Sequence, residues 1–238
     1  MSLYHERGVV LRTHKLGEAD RIITFLTRDR GKVRAVAKGV RKTKSRFGGR
    51  LEPPSHVQLL LYEGRELDIV TQAETIDHFG PLRDDYERLA RAVSMLETAD
   101  QIALERQANP RLYRMLVGAL QALATRDTPL VVPAFFLKVL ALEGYRPQVD
   151  ECAVCGAEGP LVSWAIEEGG LRCAAHRQGH PLSPEAVDVL QRILGGKLGE
   201  ALNEPVSPHT SEVDHLATKA LEHHLERRLR SVSTLHRS

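Results

Sequence analysis

All three cysteines of this 238-residue chain fall within 22 residues, in Cys152-Ala-Val-Cys155-Gly156 and Cys173-Ala-Ala-His176. Seventeen residues separate Cys155 from Cys173. A CxxC pair followed at this distance by a second pair of the same spacing is the pattern of a zinc knuckle. Two thiolates three positions apart can chelate one ion from a tight turn, and a second such pair completes a tetrahedron. Glycines at 156, 159, 169 and 170 permit the sharp bends. The expected ligands are Cys152, Cys155, Cys173 and His176, with His180 as the alternative fourth. Four protein ligands leave no open coordination position, so the expected metal is structural zinc, not catalytic zinc. A zinc deaminase would need an upstream H-x-E element, which is absent before Cys152. A redox CxxC would leave the second pair unexplained.

A second cluster is electrostatic. Ten basic residues lie between Arg28 and Arg50, with Asp29 as the single acid among them. The next thirty residues carry one base, Arg65, against six acids, so a formal net charge of only +2 conceals a local stripe of about +9. A concentrated basic stripe attracts phosphates and releases counterions from nucleic acid. The candidate contacts are Lys32, Arg34, Lys38, Arg41, Lys42, Lys44, Arg46 and Arg50. Aromatic residues make up only 5% of the chain, and Phe47 is the one inside the stripe. Affinity from such a surface comes from backbone charge more than from stacking, and is insensitive to sequence. Phe47 itself reads equally as a loop anchor or as a base-stacking residue.

The elements that hold these two clusters differ. Residues 1–80 read as β structure: strands over 8–14, 21–27, 32–40, 56–62 and 67–79, punctuated by Asp29-Arg30-Gly31 and Glu63-Gly64-Arg65. In the third strand Val33, Ala35 and Ala37 share one face, while Lys32, Arg34 and Lys38 lie largely on the other. Five short strands with one long basic loop, 41–50, suit a small closed barrel: the OB-fold is the natural candidate, and the pattern alone also admits an SH3-like barrel. After Pro81 the apolar period becomes helical. Leu82, Tyr86, Leu89, Val93 and Leu96 mark one helix, ended at Asn109-Pro110; Leu112, Leu116, Ala119, Leu120 and Leu123 mark a second; 132–145 mark a third. Ser183-Pro184-Glu185 is a helix start. Val213, Leu216, Ala220, Leu225, Leu229 and Val232 define a C-terminal amphipathic helix. The expected fold class is α+β: a five-stranded OB-fold barrel (1–80), an α-helical bundle domain (81–150 and 178–238) and an inserted zinc-binding module (151–177).

Other chemistries are not supported. There is no phosphate-binding GxxxxGK[ST], no GxGxxG after a strand, no HExxH and no GxSxG. Composition, with 42% hydrophobic and 27% charged residues, is that of a globular chain. The longest charge-free apolar run is about half of what a bilayer span requires. Charge interrupts the N-terminal MSLYHERGVVLR before an apolar signal segment forms, so the expectation is a cytoplasmic, nucleoid-associated protein. No catalytic residues, small-molecule substrate or membrane partner are expected.

The segment GEADRIITFLTRDRGKVRAVAKGVRKTKSR (17–46) resembles the N-terminal signature of the RecO family of bacterial DNA-repair proteins. FLKVLALEGYRPQVDECAVCG (136–156), GGLRC (169–173) and HHLERRLRS (223–231) resemble that family's helix into the zinc element, its return strand and its C-terminal helix. The resemblance implies a recombination mediator that is not an enzyme. It implies binding of single- and double-stranded DNA and annealing of complementary strands. With RecR it implies loading of RecA onto DNA covered by single-strand-binding protein, and contact with that protein's acidic C-terminal tail. Phe135, Phe136 and Lys138 are candidates for the tail contact, although plain core packing is the favoured reading of the two phenylalanines. The last metal position is histidine here, where many relatives have cysteine. Readings outside this family are an RNA-binding OB protein with structural zinc, and a scaffold that only bridges proteins.

Overall fold

The computed structural model describes residues 2–225; the expected helical positions Leu229 and Val232, and the end of the 223–231 segment, lie outside them. The described residues fall into two compact units that divide between Thr125 and Arg126.

The first unit begins with a closed barrel of β1 (Leu3–Leu16), β2 (Asp20–Thr27), β3 (Gly31–Ala37), β4 (His56–Tyr62) and β5 (Asp68–Asp77), in the order β1-β2-β3-β5-β4. This is the OB-like five-stranded arrangement. β1 is longer than its apolar run because it serves two neighbours. Residues 3–9 pair with β4 and residues 8–16 with β2, and a bulge between Val10 and Arg12 bends the strand from one to the other. Closure is made by a short parallel contact, Ala35 to Asp68 and Val36 to Ile69. Val33, Ala35 and Ala37 point into a core with Val10, Ile23, Phe25, Val57, Leu59, Leu61 and Val70. β3 stops at Ala37, three residues before the expected end. Gly39 turns the chain with φ +68° and donates its N–H to the Asp20 carboxylate. Lys38 therefore belongs to the loop, not to the strand.

The same unit contains α1 (Gly80–Arg83), α2 (Tyr86–Ile102) and α3 (Pro110–Thr125). The single helix expected from Leu82 onward is two. Asp84 closes α1, and Asp85 is extended and caps α2 by accepting from the Arg88 N–H. The buried face of α2 is also displaced: Tyr86 and Val93 are exposed, while Ala92, Met95, Leu96 and Ala99 are buried. Small residues at 92, 94 and 99 let the helix approach its neighbours closely, which the spacing of large apolar residues did not reveal. α3 buries Leu112, Leu116, Leu120 and Leu123 as the periodicity requires, and the Asn109 side chain caps it.

The second unit holds α4 (Val131–Leu142), β6 (Leu161–Ala165), β7 (Gly170–Cys173), β8 (His180–Pro181), α5 (Pro184–Leu194), α6 (Leu198–Ala201) and α7 (Pro208–His224). The helices expected as one bundle are thus shared between the two units. Apart from Lys138, α4 is apolar and mostly buried, packing on α7 and α5. Ser183 caps α5 and Ser207 caps α7, each followed by proline at the first helical position. The strands form a three-stranded sheet ordered β7-β6-β8, in which β7 ends at Cys173; Cys152 and Cys155 lie in the turn that precedes β6. No helix of the described residues is long and apolar enough to cross a membrane.

Candidate nucleic-acid interface and metal centre

The basic stripe divides into two parts with different surroundings. On β3, Lys32 and Arg34 point outward as the period-two pattern requires, but carboxylates meet them. The Lys32 ammonium donates to the Asp100 backbone carbonyl at 2.6 Å and lies 3.4 Å from the Asp100 carboxylate. Arg34 pairs with Glu105 at 3.1 Å. The segment after α2 runs along the start of β3: the Lys32 N–H donates to the Leu104 carbonyl, and the Arg106 N–H donates to the Lys32 carbonyl. Gly31 has no room for a side chain, because a Cβ there would sit 1.8 Å from the Gln107 carbonyl oxygen. These strand cations join the barrel to the last turn of α2, through Asp100, and to the segment that follows it, through Glu105.

The loop part is different. Lys38, Arg41, Lys42, Lys44, Arg46 and Arg50 are exposed, and among the described residues none is paired with a carboxylate. The loop is shaped from beneath by Phe47 and Leu51, each 1% exposed and packed in the barrel core. Phe47 is therefore an anchor, with the Arg46 guanidinium over its ring at 4.8 Å, and it offers no face to a base. Arg41 ties the loop to the β1–β2 turn. Its N–H donates to the Ala19 carbonyl, and its guanidinium donates to the carbonyls of Gly17 and Glu18. Arg50 donates to the carbonyls of Arg46 and Phe47. What remains is a cationic loop, hydrogen-bonded to the β1–β2 turn and to itself, whose charge suits a phosphate chain.

Phe135 and Phe136 lie on α4 with their rings tilted against each other at 6.3 Å, and both are buried; Lys138 is half-buried. The rings belong to the core and present no surface for a peptide.

In the second unit, Cys152, Cys155, Cys173 and His176 bring one ligand atom each to within 4.8 Å of one another. Cys155 Sγ to Cys173 Sγ is 3.8 Å, Cys173 Sγ to His176 Nδ1 is 3.4 Å, and Cys152 Sγ to His176 Nδ1 is 3.9 Å. A tetrahedral site with metal–sulfur bonds of about 2.3 Å has sulfur–sulfur edges of about 3.8 Å, so the spacing fits a single tetrahedral ion. The CxxC turn is held by the Gly156 N–H donating to the Cys152 carbonyl, and it docks on β7 through the Ala153 N–H and the Leu171 carbonyl. Backbone N–H groups, that of Cys173 foremost, bring the Cys152 thiol down to about 6, which favours the ligating thiolate. His180 is elsewhere: it sits on β8 with its ring edge-on to His215 at 5.4 Å.

Sequence reasoning missed the acids that occupy the strand cations, Asp100 and Glu105, because nothing local links residue 32 to residue 100. It also missed Arg172, which is 7% exposed beside the cysteine–histidine cluster; a charged residue inside the GGLRC strand was the available signal.

The N-terminal barrel and the part that follows correspond to two family models. Residues 1–79 match "Recombination protein O N terminal", and residues 83–233 match "Recombination protein O C terminal". Covered over nearly its whole length and in this order, with an OB-like barrel and a four-ligand cysteine–histidine cluster, the chain belongs to the recombination protein O (RecO) family, whose role lies in DNA recombination and repair.

Proposed function

We propose that this protein is a recombination mediator that binds single- and double-stranded DNA through the loop spanning residues 38–50 and anneals complementary strands. The observation that carries this reading is the run of exposed cations Lys38, Arg41, Lys42, Lys44, Arg46 and Arg50 without a carboxylate partner among the described residues. Two DNA strands repel each other, and a surface that neutralises phosphates on both lowers that repulsion. Binding by charge alone accepts either form of DNA, as annealing requires. No bond is made or broken in this mechanism.

In the same reading the protein acts with RecR to promote RecA loading on DNA covered by single-strand-binding protein, whose acidic tail it contacts. The family membership supports these partners. Cys152, Cys155, Cys173 and His176 hold a zinc ion, which supplies a structural cross-link between the CxxC turn and the end of β7. With four protein ligands the ion takes no part in chemistry on DNA.

The test is annealing of DNA coated with single-strand-binding protein, by the wild type and by a Lys42→Glu/Lys44→Glu/Arg46→Glu variant. The expected result is loss of annealing in the variant with its melting curve unchanged. Unimpaired annealing would overturn the assignment, and preference for RNA in competition would favour an RNA-binding role.

A further inference from the structure

Arg172 is a buried cation on β7, next to the ligand Cys173, and its bonds run to both sides of the metal loop. Its Nη2 donates to the Glu168 carboxylate on the β6–β7 turn. Its Nη1 donates to the Gln178 side-chain oxygen at 2.7 Å and to the His176 backbone carbonyl at 3.5 Å. The loop so held carries Cys173 and His176. It is pinned at its far end too: the Gln178 N–H donates to the buried Ser163 hydroxyl, and Gly179, at φ +84°, passes where a Cβ would meet the Trp164 carbonyl oxygen at 2.1 Å. The loop between these pins is short, and the guanidinium spans it.

We infer that Arg172 is a positioning residue for the metal site: its guanidinium holds the 173–178 loop in the form that presents Cys173 Sγ and His176 Nδ1 to one ion. This rests on the reading that the four ligands hold zinc. A charge is costly to bury, and a hydrophobic residue would fill the same volume at lower cost. What the guanidinium supplies that an apolar residue cannot is directed bonding to three groups at once, two of them on the ligand loop. Partners outside the ligand shell that orient ligands in this way affect metal affinity by about 10–100-fold.

The experiment uses the full chain loaded with zinc. Arg172→Lys, Gln178→Ala and Glu168→Ala are compared with the wild type by the rate of zinc release to a chromogenic chelator, by the visible spectrum after exchange to cobalt(II), and by thermal melting in excess zinc. Arg172→Lys keeps the charge and loses the fork; Gln178→Ala removes one bond from the loop side; Glu168→Ala keeps both loop-side bonds. The expected result is release at least tenfold faster for Arg172→Lys, several-fold faster for Gln178→Ala, and within about twofold of wild type for Glu168→Ala. The cobalt bands shift for Arg172→Lys as the histidine ligand moves. A role in folding alone would lower the melting temperature without moving the cobalt spectrum or the release rate well below it. Equal release rates in all four proteins would overturn the inference, as would equal acceleration by Glu168→Ala and Arg172→Lys. If Arg172→Lys fails to fold, Gln178→Ala against Glu168→Ala decides. A wild type that binds no stoichiometric zinc fails the metal reading itself and takes the inference with it, whereas stoichiometric zinc with unchanged release removes only the role of Arg172.

Discussion

The Lys32 ammonium and the Asp100 carboxylate lie 3.4 Å apart, with their side chains 16% and 18% exposed, and the same ammonium donates to the Asp100 carbonyl. A cation on the outer face of an OB-type strand is thus spent on α2, and the stripe's cations without a carboxylate partner among the described residues are those of the loop after β3. The expected result for Lys32→Met is a loss of about 1 kcal/mol in urea unfolding, because the Asp100 carbonyl and Oδ1 lose the ammonium while Arg12 stays on Oδ2. The salt dependence of DNA binding should stay at its wild-type slope. A slope lowered by a full contact would place Lys32 on the DNA.

Charge reversal at Lys42, Lys44 and Arg46 addresses the loop directly. Each lost phosphate contact on a single strand lowers the slope of log K against log salt by about 0.7, so the triple variant should lose about 2 in slope and at least tenfold in affinity. Fluorescence anisotropy at several salt concentrations gives both quantities.

Glu105 occupies Arg34, which the sequence offers as a phosphate contact. The pair is half exposed, with the Arg34 side chain 41% and the Glu105 side chain 56% accessible. Glu105→Gln removes that carboxylate and leaves the backbone hydrogen bonds of its segment in place. The expected effect is a modest rise in DNA affinity with a steeper salt slope, measured in the same assay, and a melting temperature close to wild type, since an exposed pair contributes about 0–1 kcal/mol.

Phe47 separates anchoring from stacking. Phe47→Leu preserves an apolar plug and should bind DNA as the wild type does. Phe47→Ala opens a cavity beneath the loop and should cost about 3–5 kcal/mol, read from denaturant melts. Weak DNA binding by a stable Phe47→Leu protein would return the ring to a role at the bases.

His56 on β4 is buried, with Nε2 2.6 Å from the Tyr113 hydroxyl on α3, and burial holds its pKa below the usual 6.5. The unfolded chain therefore binds this proton at higher pH than the folded one. The contribution of neutral His56 is complete above about 6.5 and is lost as pH falls through the lower folded value. Glu6, also buried, is shifted upward by desolvation and works in the opposite sense in the acid range. The difference between wild type and His56→Gln isolates the histidine: the variant should show the shallower loss of stability between about pH 6.5 and 5, measured by urea titration at each pH.

The barrel, the basic stripe and the metal ligands were legible in the chain because each is written at short range. Period-two alternation separates Val33, Ala35 and Ala37 from Lys32 and Arg34 within a single strand, and CxxC and CxxH each place two ligands in one turn. Helix starts with serine followed by proline at 183–184 were equally plain; the same pair at 207–208 marks the start of α7. The break between α1 and α2 was hidden, because the apolar residues on either side keep a helical period through Asp84 and Asp85. The buried face of α2 was hidden for a related reason: alanine and serine set it, and they carry little apolar signal.

By itself, the sequence determined where the cations cluster and which four residues have the types and spacing of a metal site. Tertiary structure alone decided which cations remain available. Asp100 and Glu105 stand 68 and 71 positions beyond the strand residues they meet, and only chain reversal brings them together. The same holds for Phe47, whose burial depends on how the loop closes over the barrel, and for Arg172, whose partners at 168, 176 and 178 surround it only after the sheet and the metal loop have formed. Local pattern fixes side-chain chemistry and face; the electrostatic fate of each charge is set by contacts distant in sequence, which no local period encodes.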